Sequence, residues 1–231
     1  MTDTLELLEA SLDRIEPALQ ARALGAILGK VSEKTQDYAR QAQRCEALVA
    51  LAATLGGLKE TNVLIAVKGV VQSATKAGED LSAASDKDDL EDILDEYGQL
   101  PNALGRLDQT LRQLWSERSR TDYFSLIAVG DLLKRLSGAD ALGESLAQVG
   151  RRAEALSNRN QPAETMAVDI ASLKAERETL LVALSAFTAH PEVDSFIAAV
   201  TGGRATLDLV TPAVFAWLSE HDALQAFKVT G

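Results

Sequence analysis

Cysteine occurs once in the 231 residues, at Cys45, so no disulfide can form within the chain. A fold stapled by disulfides is excluded, and a lone thiol suits a reducing compartment. Histidine occurs twice, at His190 and His221. No CxxC, HExxH or Glu-x-x-His pair is present, which removes the usual zinc and di-iron ligand sets. Each histidine sits beside a predicted helix boundary, so neither offers a base for a serine or cysteine nucleophile. Glycine pairs give no phosphate cradle either. Gly202-Gly203-Arg204 is not followed by Gly-Lys-Ser/Thr, and Gly69 and Gly78 form no dinucleotide fingerprint. An acidic run at 86–96 fails as a calcium loop, because Leu90 and Glu91 stand where an oxygen ligand and a glycine are needed. No cofactor, metal or catalytic residue is expected from these patterns.

Aromatics make up 4% of the chain, prolines number five, and runs of β-branched residues are rare. Ala and Leu dominate the apolar residues instead. That balance favours helix over strand. Apolar runs fall far short of a membrane span. The N-terminal MTDTLELLEASLDRIEP is acidic and periodic, without the basic start and apolar block of a signal peptide. The expectation is a cytoplasmic protein that does not enter a membrane.

What is there is helical periodicity. Leu5, Leu8, Leu12, Ile15 and Leu19 form one stripe, with Pro17 predicting a kink near Glu16. Tyr38, Cys45, Leu48 and Leu55 share a face, Gly56-Gly57 reads as a stop, and Leu58, Leu64, Val67, Val70 and Val71 read as the apolar side of the next helix. The glycine link predicts a helical hairpin. Asp86 reads as the N-cap of a short acidic helix. Leu100, Leu104, Leu107, Leu111 and Leu114 repeat at heptad spacing, and a weaker pattern runs on through Phe124, Ile127, Leu132, Leu133 and Leu136 to a stop at Gly138. Another helix carries Leu142, Leu146, Val149 and Leu156. Pro162 reads as a first-turn proline before a stripe of Met166, Ile170, Leu173, Leu180, Leu184 and Phe187, which His190-Pro191 ends. These heptads are too short for a dimeric rod. They predict an all-α, antiparallel helical bundle with short coiled-coil-like hairpins.

The last segment reads as a small cap. Leu207, Leu209 and Val210 look like a short strand, and FKVT at 227–230 is available to pair as a second one. Between them, Thr211 is a predicted N-cap, Pro212 a first helical residue, and Val214, Phe215, Trp217 and Leu218 an apolar cluster. Composition and these breaks divide the chain into acidic N-terminal helices (1–98), a central bundle (99–202) and a cap (203–231).

Charge is uneven. Residues 1–98 hold 10 basic and 18 acidic side chains, 99–160 hold 9 and 7, and 161–231 hold 4 and 9, within a net charge of −11. An acidic protein does not attract a phosphate backbone as a whole. Only the middle segment could, through Lys134, Arg135, Arg151 and Arg152 together with Arg106, Arg112, Arg118, Arg120 and Arg159. Without chemistry to assign, the expected work is contact. Arg112, Trp115 and Arg118, at spacings of three, and Phe215, Trp217 and Leu218 in the cap are the candidate partner-binding residues, since Trp and Arg are enriched where interfaces are strongest.

The tail T-P-x-V-x-x-W-L-x-E-H-x-x-L-x-x-F-x-V is carried by Thr211, Pro212, Val214, Trp217, Leu218, Glu220, His221, Leu224, Phe227 and Val229. It resembles the tails of small helical proteins that accompany SMC-like or other P-loop ATPases in bacterial anti-phage defence. The resemblance implies an accessory subunit of such a complex and assigns no residue roles. Three functions are therefore in play: a non-enzymatic helical adaptor for a protein partner, a nucleic-acid-binding protein using the 99–160 arginines, and a homo-oligomeric coiled coil.

Overall fold

The computed structural model describes residues 25, 29, 33, 36–83 and 99–224. Among them there is no strand, and the all-α expectation holds. Helix α1 covers 36–55, α2 Thr61–Ala83, α3 Gln99–Asp122, α4 Phe124–Leu133, α5 Asp140–Ser157, α6 Ala163–Thr188, α7 Pro191–Thr201 and α8 Pro212–Glu220. The expected kink at Pro17, the acidic helix at Asp86 and the strand at 227–230 lie outside the described residues.

The described residues fall into two compact units: 36–46, 72–83 and 99–102 in one, and 47–71 with 103–224 in the other. These limits differ from the compositional boundaries at 98 and 202, since the end of α1 and the start of α2 belong with the central helices. The first unit holds the beginning of α1, the end of α2 and the first residues of α3.

The hairpin stop lies where the glycines predict. α1 ends at Leu55, and Gly56 takes φ 65°, a left-handed conformation that glycine adopts without a Cβ penalty. A single 3-10 turn, Gly57–Lys59, then leads into α2. α1 buries Leu48, Leu51, Ala52 and Leu55 completely. α3 buries Leu104, Leu107, Leu111, Trp115 and Ser119. That stripe follows the true helical period beyond Leu111, stepping by four to Trp115 and Ser119, so the heptad partner Leu114 is only half-buried. Tyr123 alone separates α3 from α4, and its ring lies 5.5 Å from Trp115, centroid to centroid.

The tightest packing joins α4 and α5. Gly130 lies against Gly143 and Ala147, and Gly150 against Ile127 and the Tyr123 carbonyl. As one helix advances from 123 to 130 the other retreats from 150 to 143, so the pair is antiparallel. A Cβ on Gly130 would fall 2.4 Å from the Gly143 oxygen, and one on Gly143 would fall 2.7 Å from the Gly130 oxygen. Only hydrogen at Cα permits this approach. Across the α3–α5 contact, the buried Ser119 and half-buried Ser157 satisfy one another, with hydroxyls 2.7 Å apart.

α6 starts after Pro162, which is the N-cap with ψ 144° rather than a first-turn residue. Met166, Ala167, Ile170 and Leu173 are buried, whereas Leu180, Leu184 and Phe187 are half-buried. Its end is closed by Thr188, whose hydroxyl donates to Asp194 of α7 at 2.7 Å.

The cap is helical throughout its described part. Leu207–Leu209 is a 3-10 turn, not a strand: Leu209 N–H bonds to Thr206 O and Val210 N–H to Leu207 O. Leu207 is 68% exposed, so extending this segment would bury little. Among the described residues no strand lies beside it to pair its backbone groups. Thr211 caps α8 as expected, its hydroxyl accepting from Val214 N–H, with Pro212 following. Trp217 donates to Phe187 O, and the His221 ring packs at a tilt, 4.5 Å from Phe187 and 5.1 Å from Trp217 between centroids. His221 also meets Ser137 through its carbonyl and its Nδ1, tying the cap to the loop after α4.

Candidate interaction surfaces

The structure separates the ten candidate contact residues into fillers, ties and exposed groups. Trp115 is 1% exposed and fills the core. Its place on the surface is corrected by the four-residue steps of α3, which aim it with Leu111 and not with Arg112 and Arg118. Arg112 donates to Asp108 at 2.9 Å and to Gln161 O at 2.7 Å. It ties α3 to the segment before α6. Arg118 donates to Glu60 at 2.9 Å and to the Leu55 carbonyl. It closes the C-terminus of α1, where a cation opposes the exposed carbonyl dipoles.

In the cap, Trp217 and Leu218 are buried at 5% and 3%, while Phe215 is 54% exposed. The apolar cluster read from the sequence is thus split by the helix. Positions 214, 217 and 218 turn inward and 215 turns outward. Burial corrects Trp217 and Leu218 from contact residues to core.

The basic residues are mostly engaged. Lys134 pairs with Asp131 at 3.4 Å and with Glu144, and Arg151 reaches the same two acids at 3.4 and 3.8 Å. Arg152 pairs with Glu176 at 2.5 Å. Arg135 is exposed and has no ion pair among the described residues. The Glu144 hydrogen bond raises the Lys134 pKa, and the same bond lowers that of Glu144. A surface whose cations are matched by carboxylates offers a nucleic acid little net field.

The surface that sequence periodicity missed lies on α2. Val63 and Val70 are buried at 1% and 5%, but Leu64, Ile65 and Val71 are 50%, 65% and 57% exposed, and Leu58 before them is 46% exposed. Of the residues read as the apolar side of this helix, Leu58 lies in the 3-10 turn before it, and Leu64 and Val71 face outward. Leu64 and Val71 are seven residues apart, hence on one face, with Ile65 beside Leu64. The signal was present: apolar residues at 63, 64, 65, 67, 70 and 71 cover more than the one stripe a helix can turn to a core.

Among the described residues, no three His, Cys, Asp or Glu side chains gather as metal ligands, and no helix is long and apolar enough to cross a membrane. A scan of protein-family models and searches of curated proteins and of solved structures find no match to the chain.

Proposed function

We propose that the chain is a non-enzymatic helical adaptor, a cytoplasmic subunit that holds a protein partner in a larger complex. The observation that carries this reading is the exposed apolar row of α2. Leaving a Leu, Ile or Val side chain in water forgoes about 1.5–3 kcal/mol each. A row of such side chains on one helix is a surface for a partner's apolar face. Phe215 offers a second contact, at a position left open by the C-terminal motif that resembles the tails of defence accessory subunits. On that resemblance the partner is an SMC-like or P-loop ATPase. Direct nucleic-acid binding is less well supported, because acids sit against three of its four cations.

The test is co-expression with the products of neighbouring genes, followed by purification. A complex should form with the unaltered chain and be lost with Leu64→Glu combined with Ile65→Lys, while helicity and melting temperature stay unchanged. Retention of the complex by that variant would remove α2 from the interface. A concentration-dependent dimer in sedimentation, with no partner captured, would favour the homo-oligomer instead.

A further inference from the structure

A second feature of the 47–71 and 103–224 unit is a cleft of about 150 Å³, partly open to solvent, among α1, α3 and α6. Leu55, Trp115, Arg118, Asp122, Tyr123, Lys174, Arg177 and Glu178 line it. One water needs roughly 15 Å³ of such space, so a group of several heavy atoms fits. Three cations thus meet at one small cavity.

Each cation makes a structural bond and retains donors. Arg118 holds Leu55 O and Glu60, and Lys174 holds Thr54 O with one of its three donors. Arg177 uses Nε on Asp122 O at 3.0 Å, and its two terminal nitrogens have no hydrogen-bond partner among the described residues. Its guanidinium lies over the Tyr123 ring, 5.5 Å from the centroid, a contact that uses none of those hydrogens. The Trp115 side chain lines the cleft beside them. Its Nε1 is buried and has no hydrogen-bond partner. A buried N–H left unpaired costs about 1–3 kcal/mol. The other tryptophan, Trp217, has its N–H satisfied by Phe187 O.

We propose that this cleft binds a tetrahedral oxyanion of the phosphate class, using Arg118, Lys174 and Arg177 as donors beside the Trp115 indole. Three cationic groups converging from two helices can each serve a different oxygen of a tetrahedral anion. Guanidinium groups suit such oxygens, and the charge-assisted bonds are the stronger kind. Asp122 and Glu178 supply the second half of the recognition. Near neutral pH a phosphate retains a proton that a carboxylate can accept, whereas sulfate has none and meets only repulsion. The inference stands apart from the adaptor reading, since the α2 row and the cleft share no residue.

Proton–nitrogen correlation spectra of the full chain resolve the two indole N–H groups, and Trp217→Phe assigns them. Titration with inorganic phosphate should move the Trp115 signal saturably and leave that of Trp217 in place. Sulfate at equal ionic strength should move it far less. Lys174→Gln should weaken phosphate by about tenfold, the loss of one charge-assisted bond. Glu178→Gln alters an exposed side chain and keeps the fold, so it covers the case in which Lys174→Gln unfolds. It should reduce the preference for phosphate over sulfate several-fold. Methyl phosphate, titrated in parallel, separates the sources: tighter binding than the free ion indicates a phosphoryl group of a larger ligand, and weaker binding indicates free phosphate. No saturable shift, a response equal to that of sulfate, or an unchanged preference in Glu178→Gln overturns the proposal.

Discussion

The α4–α5 pair and α2 treat apolar surface in opposite ways. α4 and α5 meet through Gly130, Gly143, Ala147 and Gly150, residues with almost no side chain to bury. α2 bears Leu64, Ile65 and Val71, which have much to bury, and leaves them half or more exposed. Hydrophobicity alone would rank these regions the wrong way round. Close backbone approach brings many atoms into contact at once, and dispersion summed over them rewards small residues. Large residues reward only a helix that has a neighbour to cover them. The largest effect expected from this difference is at Gly130. Gly130→Ala should destabilise the protein by about 3 kcal/mol, the upper end of overpacking costs, because its Cβ would meet backbone rather than a yielding side chain. Urea denaturation measures it, and a stability equal to that of the unaltered protein would refute the close crossing.

Gly69 on α2 supplies the opposite sign. A Cβ there meets nothing within 4 Å. Gly69→Ala should therefore stabilise the protein by about 0.5–1 kcal/mol through helix propensity and a less flexible unfolded chain. The same substitution thus loses stability on one helix and gains it on the other. Two destabilisations would mean that α2 is covered at Gly69 as α4 is covered at Gly130. Smaller still is the effect of polar replacement in the exposed row. Leu64→Glu with Ile65→Lys should change stability by no more than about 0.5 kcal/mol each, as for surface sites in general. A loss of several kcal/mol in the isolated protein would show that the row is already buried in solution.

Much of this fold was legible in the sequence because its signals are local. The all-α class followed from composition, the α1 stop from Gly56-Gly57, and the start of α8 from Thr211-Pro212. Each of these depends on the residue itself or its next few neighbours. Facing was legible only where apolar residues were sparse. On α3 the heptad misplaced Leu114 and Trp115 by one step, because period 3.5 and period 3.6 diverge after three turns. On α2 and α8 the apolar residues outnumber the buried positions, so the sequence could not say that Leu64 and Phe215 turn outward. The cleft was illegible for a different reason. Arg118, Lys174 and Arg177 come from two helices far apart in sequence, and only their packing around Trp115 brings the charges together.

The smallest expected effect tests whether charge adds to the α4–α5 contact. Lys134 and Arg151 share Asp131 and Glu144 at its exposed edge. The hydrogen bond from Lys134 lowers the Glu144 carboxyl below its ordinary value, so folding favours the ionised form. That contribution is fully present above the unfolded glutamate value of about 4.3 and is lost as pH falls through the lower folded value. Lys134 is shifted the other way, with Glu144 as its main partner. Its contribution holds below the unfolded lysine value of about 10.4 and fades as pH rises through the raised folded value. Both groups are exposed, so salt screens the pair and the effect is slight. Urea denaturation of Glu144→Gln beside the unaltered protein should show a small deficit at neutral pH. The deficit should shrink with added salt and vanish in acid once Glu144 is protonated. A deficit that survives both would mean that Glu144 acts through packing and that charge adds nothing to the contact.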